Sequence, residues 1–116
     1  MRTPGSISVL LMLVVAGTSY AGNPEAGKEK SRTCAACHGA DGNSATGDFP
    51  RLAGQHYDYL LKALRDYKTG KRKNAIMAPQ VANLTPRDFD DLAAYYSEQQ
   101  GLVVRKNPYI VHSGKP

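Results

Sequence analysis

Two cysteines and a histidine form the most reactive group of side chains in the sequence. Cys34 and Cys37 are separated by two alanines, and His38 follows the second cysteine directly. On one helical turn, two thiols at this spacing reach the two vinyl groups of a single porphyrin and form thioethers, and the next residue places an imidazole beneath the iron. The CxxCH pattern therefore predicts one covalently attached haem c, with His38 as an axial ligand.

Other functions of a CxxC pair fit the sequence less well. A thioredoxin-like redox site requires strands that alternate with helices, and no such alternation is visible. A structural zinc site needs four ligands, and a second cysteine pair is absent from a chain with 2 cysteines. A disulfide within CxxC closes too small a loop to stabilise a fold appreciably. Haem attachment is thus the favoured interpretation.

A low-spin electron-transfer haem needs a sixth ligand, which in cytochromes c is usually Met or His. Met1 and Met12 lie in the apolar N-terminal segment, so Met77 is the candidate methionine. It falls in a proline-bounded segment, predicted to be a loop between two helices, where core packing explains a methionine poorly. His56, at the start of a predicted helix, and His112, near the C-terminus, are the competing ligands.

The first 21 residues have the pattern of a secretory signal peptide. A positive start at Met1-Arg2 precedes an apolar run from Ile7 to Ala16, and small residues permit cleavage after Ala21. The run is short for a bilayer span, so we expect no membrane span after cleavage, with an uncleaved anchor as the alternative. Export predicts a periplasmic location, where thiols oxidise and a covalent tether retains the haem.

Length and charge narrow the classes of function further. The 116 residues allow one small domain, and with 2 Phe and no Trp its own hydrophobic core is thin. A bound porphyrin fills such a core. Lys and Arg number 15 against 10 Asp and Glu, an excess too modest to predict nucleic-acid binding in an exported protein.

Helical patterns surround the CxxCH motif. Residues 24–33 are predicted to form a first helix that leads into the motif, and residues 55–67 form a second helix with a continuous apolar stripe. A last helix over residues 85–100 begins at Thr85 as N-cap, with Pro86 at the first helical position. No strand-rich region or repeat is visible, so we predict an all-α fold.

Three segments make up the predicted organisation of the chain. They are a signal peptide over residues 1–21, a haem-binding domain over residues 22–101 and a C-terminal tail over residues 102–116. The tail contains two short apolar, β-prone runs separated by Arg105-Lys106-Asn107-Pro108. It is expected either to pack on the domain or a partner subunit, or to be a loosely ordered terminus.

Taken together, these motifs resemble those of class I cytochromes c, in particular the small bacterial periplasmic single-haem type that is similar to the halves of two-haem cytochromes c. The resemblance extends over residues 23–101 and depends on five segments: CAACHGADGN (34–43), PRLAGQ (50–55), IMAP (76–79), ANLT (82–85) and DLAAYY (91–96). The single CxxCH motif predicts one haem in this chain, and a two-haem arrangement requires another chain to bring the second.

The resemblance implies a fold of three to four helices wrapped around one covalently bound haem, with the first and last helices crossing at close range. It implies that Gly27 lies at this crossing, covered by Tyr96 or Tyr95. It further implies that the Pro50 carbonyl accepts the Nδ1–H bond of His38 and so orients the imidazole ring.

The resemblance also implies that His38 and Met77 are the axial ligands, and hence that the chain is an electron carrier and not an enzyme. With both axial positions filled, no substrate reaches the iron, and electrons pass through the haem edge in brief encounters with redox partner proteins. Lys71-Arg72-Lys73 forms either a positive surface that steers acidic partners or a solvated cluster favoured at a helix C-terminus.

Two further classes of function are open at this point. The chain is alternatively a dedicated redox subunit of a periplasmic dehydrogenase, such as a flavoprotein that oxidises a sulfur compound, and the tail over residues 102–116 motivates this hypothesis. A haem sensor or peroxidase is the other alternative, and it requires an open sixth position on the iron.

Overall fold

The computed structural model of the protein describes residues 22–101, and the predicted signal peptide and tail lie outside the described residues. Within this range the chain forms α-helices and one 3-10 turn and contains no strand, which confirms the predicted all-α class for this part of the protein. None of its helices is long and apolar enough to cross a bilayer. The elements are α1 (Pro24–Lys30), the 3-10 turn (Ser31–Thr33), α2 (Ala35–His38), α3 (Tyr57–Thr69), α4 (Met77–Val81) and α5 (Pro86–Glu98).

Polar caps and one glycine set the ends of the three longer helices. The Asn23 side chain accepts hydrogen bonds from two backbone N–H groups at the start of α1. Thr85 and Asp88 form a reciprocal capping box at the start of α5, as the sequence predicts for its N-terminus. Helix α3 ends at Gly70, whose φ of +77° is a left-handed conformation that glycine adopts without strain.

Two helix predictions need correction. The first helix is α-helical only over residues 24–30 and tightens to a 3-10 turn before the cysteines. The predicted loop around Met77 is wrong, because Met77 is the first residue of α4. The Asn74 side chain accepts hydrogen bonds from the N–H groups of Ile76 and Met77, at 2.9 Å each, and thereby starts the helix. Pro79 lies in the first turn, where its missing N–H costs no helical bond.

The closest approach of two helices is the crossing of α1 and α5. A Cβ atom at Gly27 would overlap the carbonyl group of Asp91 and would lie 2.7 Å from the Cβ of Tyr95. Only a glycine therefore lets the two backbones come this close. Of the two aromatic residues that the resemblance offered, Tyr95 is the one that faces Gly27, whereas Tyr96 packs against Gly42.

The hydrophobic core lies between α3 and α5. Its buried members are Leu60, Leu92, Ala93, Tyr95 and Tyr96. Six half-buried residues pack against this cluster: Cys34, Leu52, Tyr57, Leu61, Leu64 and Leu84. The core thus continues directly into the CxxCH segment through Cys34.

A buried carboxylate locks α1 onto α5. Asp91, only 2% exposed, accepts hydrogen bonds from the Asn23 backbone N–H at 2.7 Å and the Lys30 ammonium at 2.6 Å. Lys30 also pairs with Asp88 at 2.8 Å. The pKa of Asp88 is lowered to about 2, most of all by this bond and next by the hydrogen bond from the Thr85 backbone N–H. Burial opposes ionisation of Asp91, but these hydrogen bonds and charges outweigh it and lower its pKa.

Candidate functional site

The two thiols lie on one turn of backbone. Cys34 is the N-cap residue of α2, and its carbonyl accepts hydrogen bonds from the N–H groups of Cys37 at 3.2 Å and His38 at 3.0 Å. The turn ends at Gly39, which has a φ of +81°. Both thiols are unpaired and half-buried. The sequence CAACH therefore presents two free sulfur atoms and an imidazole from a single rigid element.

The His38 ring is held in one orientation by a backbone carbonyl. It is 6% exposed, and its Nδ1 lies 2.8 Å from the oxygen of Pro50. A carbonyl only accepts hydrogen bonds, so the proton of this bond belongs to Nδ1. In the neutral ring the lone pair is then on Nε2, the nitrogen available to a metal. The Phe49 ring stands edge-on to the imidazole, with 6.5 Å between centroids.

The loop that carries Pro50 is fixed by hydrogen bonds that sequence patterns did not reveal. The carbonyl of Gly42 accepts bonds from the N–H groups of Leu52 at 2.8 Å and Ala53 at 3.2 Å. The Tyr95 hydroxyl donates to the carbonyl of Ala40 at 3.0 Å and ties the start of the loop to α5. The partners of these bonds are distant from one another in the sequence, so local sequence patterns give no sign of them.

Met77 lies on a different element from the CxxCH turn. It is half-buried at the start of α4, which packs against α3. Val81, at the other end of α4, is 1% exposed and anchors the helix, whereas Ile76 is 59% exposed. The polar contact of Met77 is the bond from its N–H to Asn74, so its thioether is not committed to a hydrogen bond among the described residues.

The competing histidine ligands occupy other positions. His56 is the N-cap residue of α3, is exposed, and makes no capping hydrogen bond with its side chain. Its backbone N–H donates to the Gln55 side chain at 2.8 Å. His112 lies outside the described residues.

The donor set and its surroundings fit a covalently bound haem. Two free thiols on one turn match the two attachment points of a porphyrin, and the oriented imidazole next to them offers a nitrogen ligand. The half-buried apolar residues that pack against the core beside Cys34, among them Leu52 and Leu64, would supply apolar contacts to the bound macrocycle.

Charged residues, most of them basic, line an open groove beside α3. The groove has a volume of about 630 Å³ and runs between α3 and the start of α5. Of the predicted basic cluster, Lys71 lines this groove, whereas the Arg72 guanidinium lies 4.9 Å above the Tyr67 ring. The other basic residues on the groove are Lys62, Arg65 and Lys68. The carboxylates of Asp58 and Asp66 also line it, and Lys62 pairs with Asp66. The apolar residues of the groove include Leu61 and Phe89.

The helical fold, the two free thiols on one turn and the carbonyl-oriented imidazole together define a c-type haem protein. A family model described as "Cytochrome c" matches residues 24–99, well over half of the chain. The chain belongs to the cytochrome c family, and its cofactor is a covalently bound haem c.

Individual relatives agree with this assignment. Cytochrome c4 of Pseudomonas aeruginosa is 44% identical over 110 residues, which cover 94% of this chain and 55% of the relative. A thiosulfate dehydrogenase electron acceptor of Stutzerimonas stutzeri is 49% identical over 63 residues, 53% of this chain and 29% of that protein. The structure of reduced recombinant cytochrome c4 from Pseudomonas stutzeri matches with a TM-score of 0.67 and 45% identity, over 71% of this chain and 48% of that one. The chain thus spans about half the length of the cytochrome c4 proteins it matches.

Proposed function

We propose that this protein is a periplasmic carrier of single electrons, with haem c attached to Cys34 and Cys37 and with His38 and Met77 as axial ligands. When bound, the haem supplies an iron that is reduced and reoxidised by one electron. The chain supplies fixed ligands, an apolar enclosure and a surface for redox partners. The observation that most strongly supports the proposal is the 2.8 Å bond between His38 and Pro50 beside the two free thiols.

The ligand geometry suits electron transfer better than catalysis. Pro50 holds the His38 ring by its Nδ1–H, so Nε2 keeps the same direction through a change of one electron on the iron. Met77 offers a thioether, a soft ligand that favours the reduced iron and raises its potential. With both positions occupied, no substrate binds to the metal, which is why we infer a carrier and not an enzyme.

The surface favours acidic partners. Lys71 and Lys73 are exposed, and the four basic side chains along the α3 groove outnumber its two carboxylates, Asp58 and Asp66, so the surface there is positive on balance. A positive patch of this kind accelerates encounter with a negatively charged protein and is screened by salt. We therefore infer redox partners with acidic docking surfaces.

Replacement of Met77 tests the proposal directly. In the full haem-loaded chain, Met77→Ala is expected to lower the reduction potential by on the order of 0.1 V or more and to let carbon monoxide bind to the reduced protein. The measurements are a redox titration and visible and near-infrared spectra in both redox states. The wild type is expected to exclude carbon monoxide, and a wild type that binds it at neutral pH indicates a sensor or peroxidase.

His56→Ala is the matched control for Met77→Ala, because it removes the other ligand candidate within residues 22–101. Its spectrum and potential are expected to equal those of the wild type. The opposite result, a change in His56→Ala with none in Met77→Ala, assigns the sixth ligand to His56. Mass analysis of the mature protein must show the added tetrapyrrole, and its absence refutes haem attachment.

A second candidate function is the electron-accepting subunit of a periplasmic dehydrogenase. The similarity to a thiosulfate dehydrogenase electron acceptor favours it. Size-exclusion chromatography of native extract separates the two functions, since a free carrier elutes as a small single species and a dedicated subunit elutes with its enzyme.

A further inference from the structure

Two adjacent tyrosines on α5, Tyr95 and Tyr96, differ in whether their hydroxyl makes a hydrogen bond. The hydroxyl of Tyr95 donates a hydrogen bond to the Ala40 carbonyl at 3.0 Å. The hydroxyl of Tyr96 is fully buried and has no hydrogen-bond partner among residues 22–101. A buried hydroxyl without a partner is unfavourable, and proteins rarely retain one where phenylalanine would fill the same space. The Tyr96 hydroxyl therefore requires an explanation that packing does not give.

The surroundings of this hydroxyl belong to the CxxCH segment. Ser31 and Cys34 are the polar side chains next to it, and Cys34 packs against the core cluster that contains Tyr96. Burial raises the pKa of Tyr96, and the neighbouring Cys34 adds to that rise. The Ser31 hydroxyl, itself buried, already donates to the Lys28 carbonyl at 2.8 Å. The proton of Ser31 is thus committed, and the acceptors left beside the Tyr96 hydroxyl are the Ser31 oxygen and the Cys34 sulfur.

The ring of Tyr96 is held in this direction. A Cβ atom at Gly42 would lie 2.7 Å from the Tyr96 ring, so the loop backbone closes one side of it. The Tyr95 ring lies 5.1 Å away, centroid to centroid, on another side. With the side chain 3% exposed, the hydroxyl has no route to solvent and stays beside the start of α2.

We propose that Tyr96 donates a hydrogen bond to the sulfur of Cys34 once that sulfur is a thioether, and so makes the two haem attachments electronically unequal. A thiol both donates and accepts, but a thioether sulfur has lost its proton and only accepts, weakly. The phenolic O–H is then the only possible donor of the pair. The inference rests on the proposed function, because it requires the haem bond at Cys34.

Cys37 provides the internal contrast. No hydroxyl among residues 22–101 donates a hydrogen bond to its sulfur, and the Ser44 hydroxyl nearby is directed to backbone carbonyls. On the outer side of Cys34, the exposed Thr33 hydroxyl lies 4.0 Å from the sulfur, at the limit of a hydrogen bond. The bond from Tyr96 withdraws electron density from one thioether only, which favours the reduced iron slightly. Tyr96 is accordingly a positioning residue that acts on the potential through Cys34.

Resonance Raman spectroscopy of the full haem-loaded chain tests the proposal. In the wild type, one of the two thioether C–S stretching bands is expected to shift when H₂O is replaced by D₂O, because the donor is an exchangeable O–H. Tyr96→Phe should abolish this shift and lower the reduction potential. Tyr95→Phe, the matched control, should keep the shift and the potential but lower the urea midpoint of unfolding, since it removes a satisfied hydrogen bond.

Three results with the variants, and one with the wild type, would overturn the inference. A D₂O shift that survives in Tyr96→Phe shows that another group, such as Thr33, is the donor. A shift lost equally in Tyr95→Phe shows a general effect of packing. A shift lost in Ser31→Ala shows that the Tyr96 hydroxyl acts through Ser31. If the wild type contains no thioether bands at all, the proposed haem attachment fails as well, and that failure is recognisable before any variant is compared.

Discussion

The crossing of α1 and α5 and the segment that carries Met77 are stabilised by different kinds of contact. On α5, residues 89–96 are buried with the exception of half-buried Asp90, whereas residues 71–80 are exposed with the exception of half-buried Met77. The crossing combines backbone contact at Gly27 with the buried charges around Asp91. The Met77 segment has local hydrogen bonds from two backbone N–H groups to the Asn74 side chain, and Val81 is its one buried anchor.

This difference separates the two proposed axial ligands. The chain runs from α1 through one 3-10 turn into α2, so His38 is fixed to the crossing by continuous helical backbone and by its bond to Pro50. Met77 is positioned by a helix of five residues that packs against α3, is started by the Asn74 side chain and has Val81 as its one buried residue. Because local contacts open more readily than tertiary ones, we expect the Met77 side to be the one that opens first.

The largest loss of stability is expected from adding a side chain at the point where α1 and α5 cross. Gly27→Ala adds a Cβ that overlaps the Asp91 carbonyl and crowds the Cβ of Tyr95, so α1 and α5 must separate. We expect the free energy of unfolding of the haem-loaded protein to fall by about 3 kcal/mol, as for severe overpacking. Urea denaturation followed by far-UV circular dichroism measures it.

Gly47→Ala is the control for this substitution. A Cβ at Gly47 meets no atom within 4 Å, and the residue does not have a positive φ. Its free energy of unfolding should remain within about 0.5 kcal/mol of the wild type. Equal losses in the two variants would show that helix contact at Gly27 does not govern stability.

A smaller loss of stability is expected at acid pH, where the carboxylates at the crossing of α1 and α5 become protonated. The pKa of Asp88 is lowered to about 2 in the folded protein, below its unfolded value of 3.8, so the unfolded chain binds the proton more readily. Stability from this group is therefore present above pH 4 and is lost as the pH falls from 4 to 2. Because Asp88 and Lys30 are partly exposed, we expect about 1–2 kcal/mol.

Asp88→Asn shows whether the acid effect belongs to this carboxylate. The variant should be less stable than the wild type at pH 5, and the two should converge toward pH 2 in urea midpoints measured at each pH. Curves that run parallel from pH 5 to pH 2 would place the acid sensitivity elsewhere in the molecule.

Features specified by neighbouring residues could be predicted from the sequence, and long-range ones could not. The start of α5 depends on Thr85, Pro86 and Asp88, which lie within four positions, and the structure contains this cap. The start of α4 is not predicted, although Asn74 gives the same kind of signal, because a nearby proline such as Pro79 is also typical of a loop boundary.

The hydrogen bonds at the crossing of α1 and α5 are long-range features that the sequence does not predict. Asp91 pairs with Lys30 across 61 positions and with Asn23 across 68. No local pattern specifies such a pair, since it depends on how two helices meet. The CxxCH residues were found from spacing, and the role of Pro50 came from the family resemblance alone. The axial role of Met77 stays a prediction.

The smallest loss of stability is expected in the segment that carries Met77, from Asn74→Ala. This change removes the oxygen that accepts the N–H groups of Ile76 and Met77, and loss of such a cap costs about 1 kcal/mol. Since α4 opens apart from the crossing, the urea midpoint should change little, while hydrogen exchange at residues 76–78 accelerates about fivefold and the near-infrared band of sulfur ligation weakens. A midpoint that falls by the full cost of the cap, with exchange accelerated throughout α1 and α5, would mean that the two regions unfold as one unit.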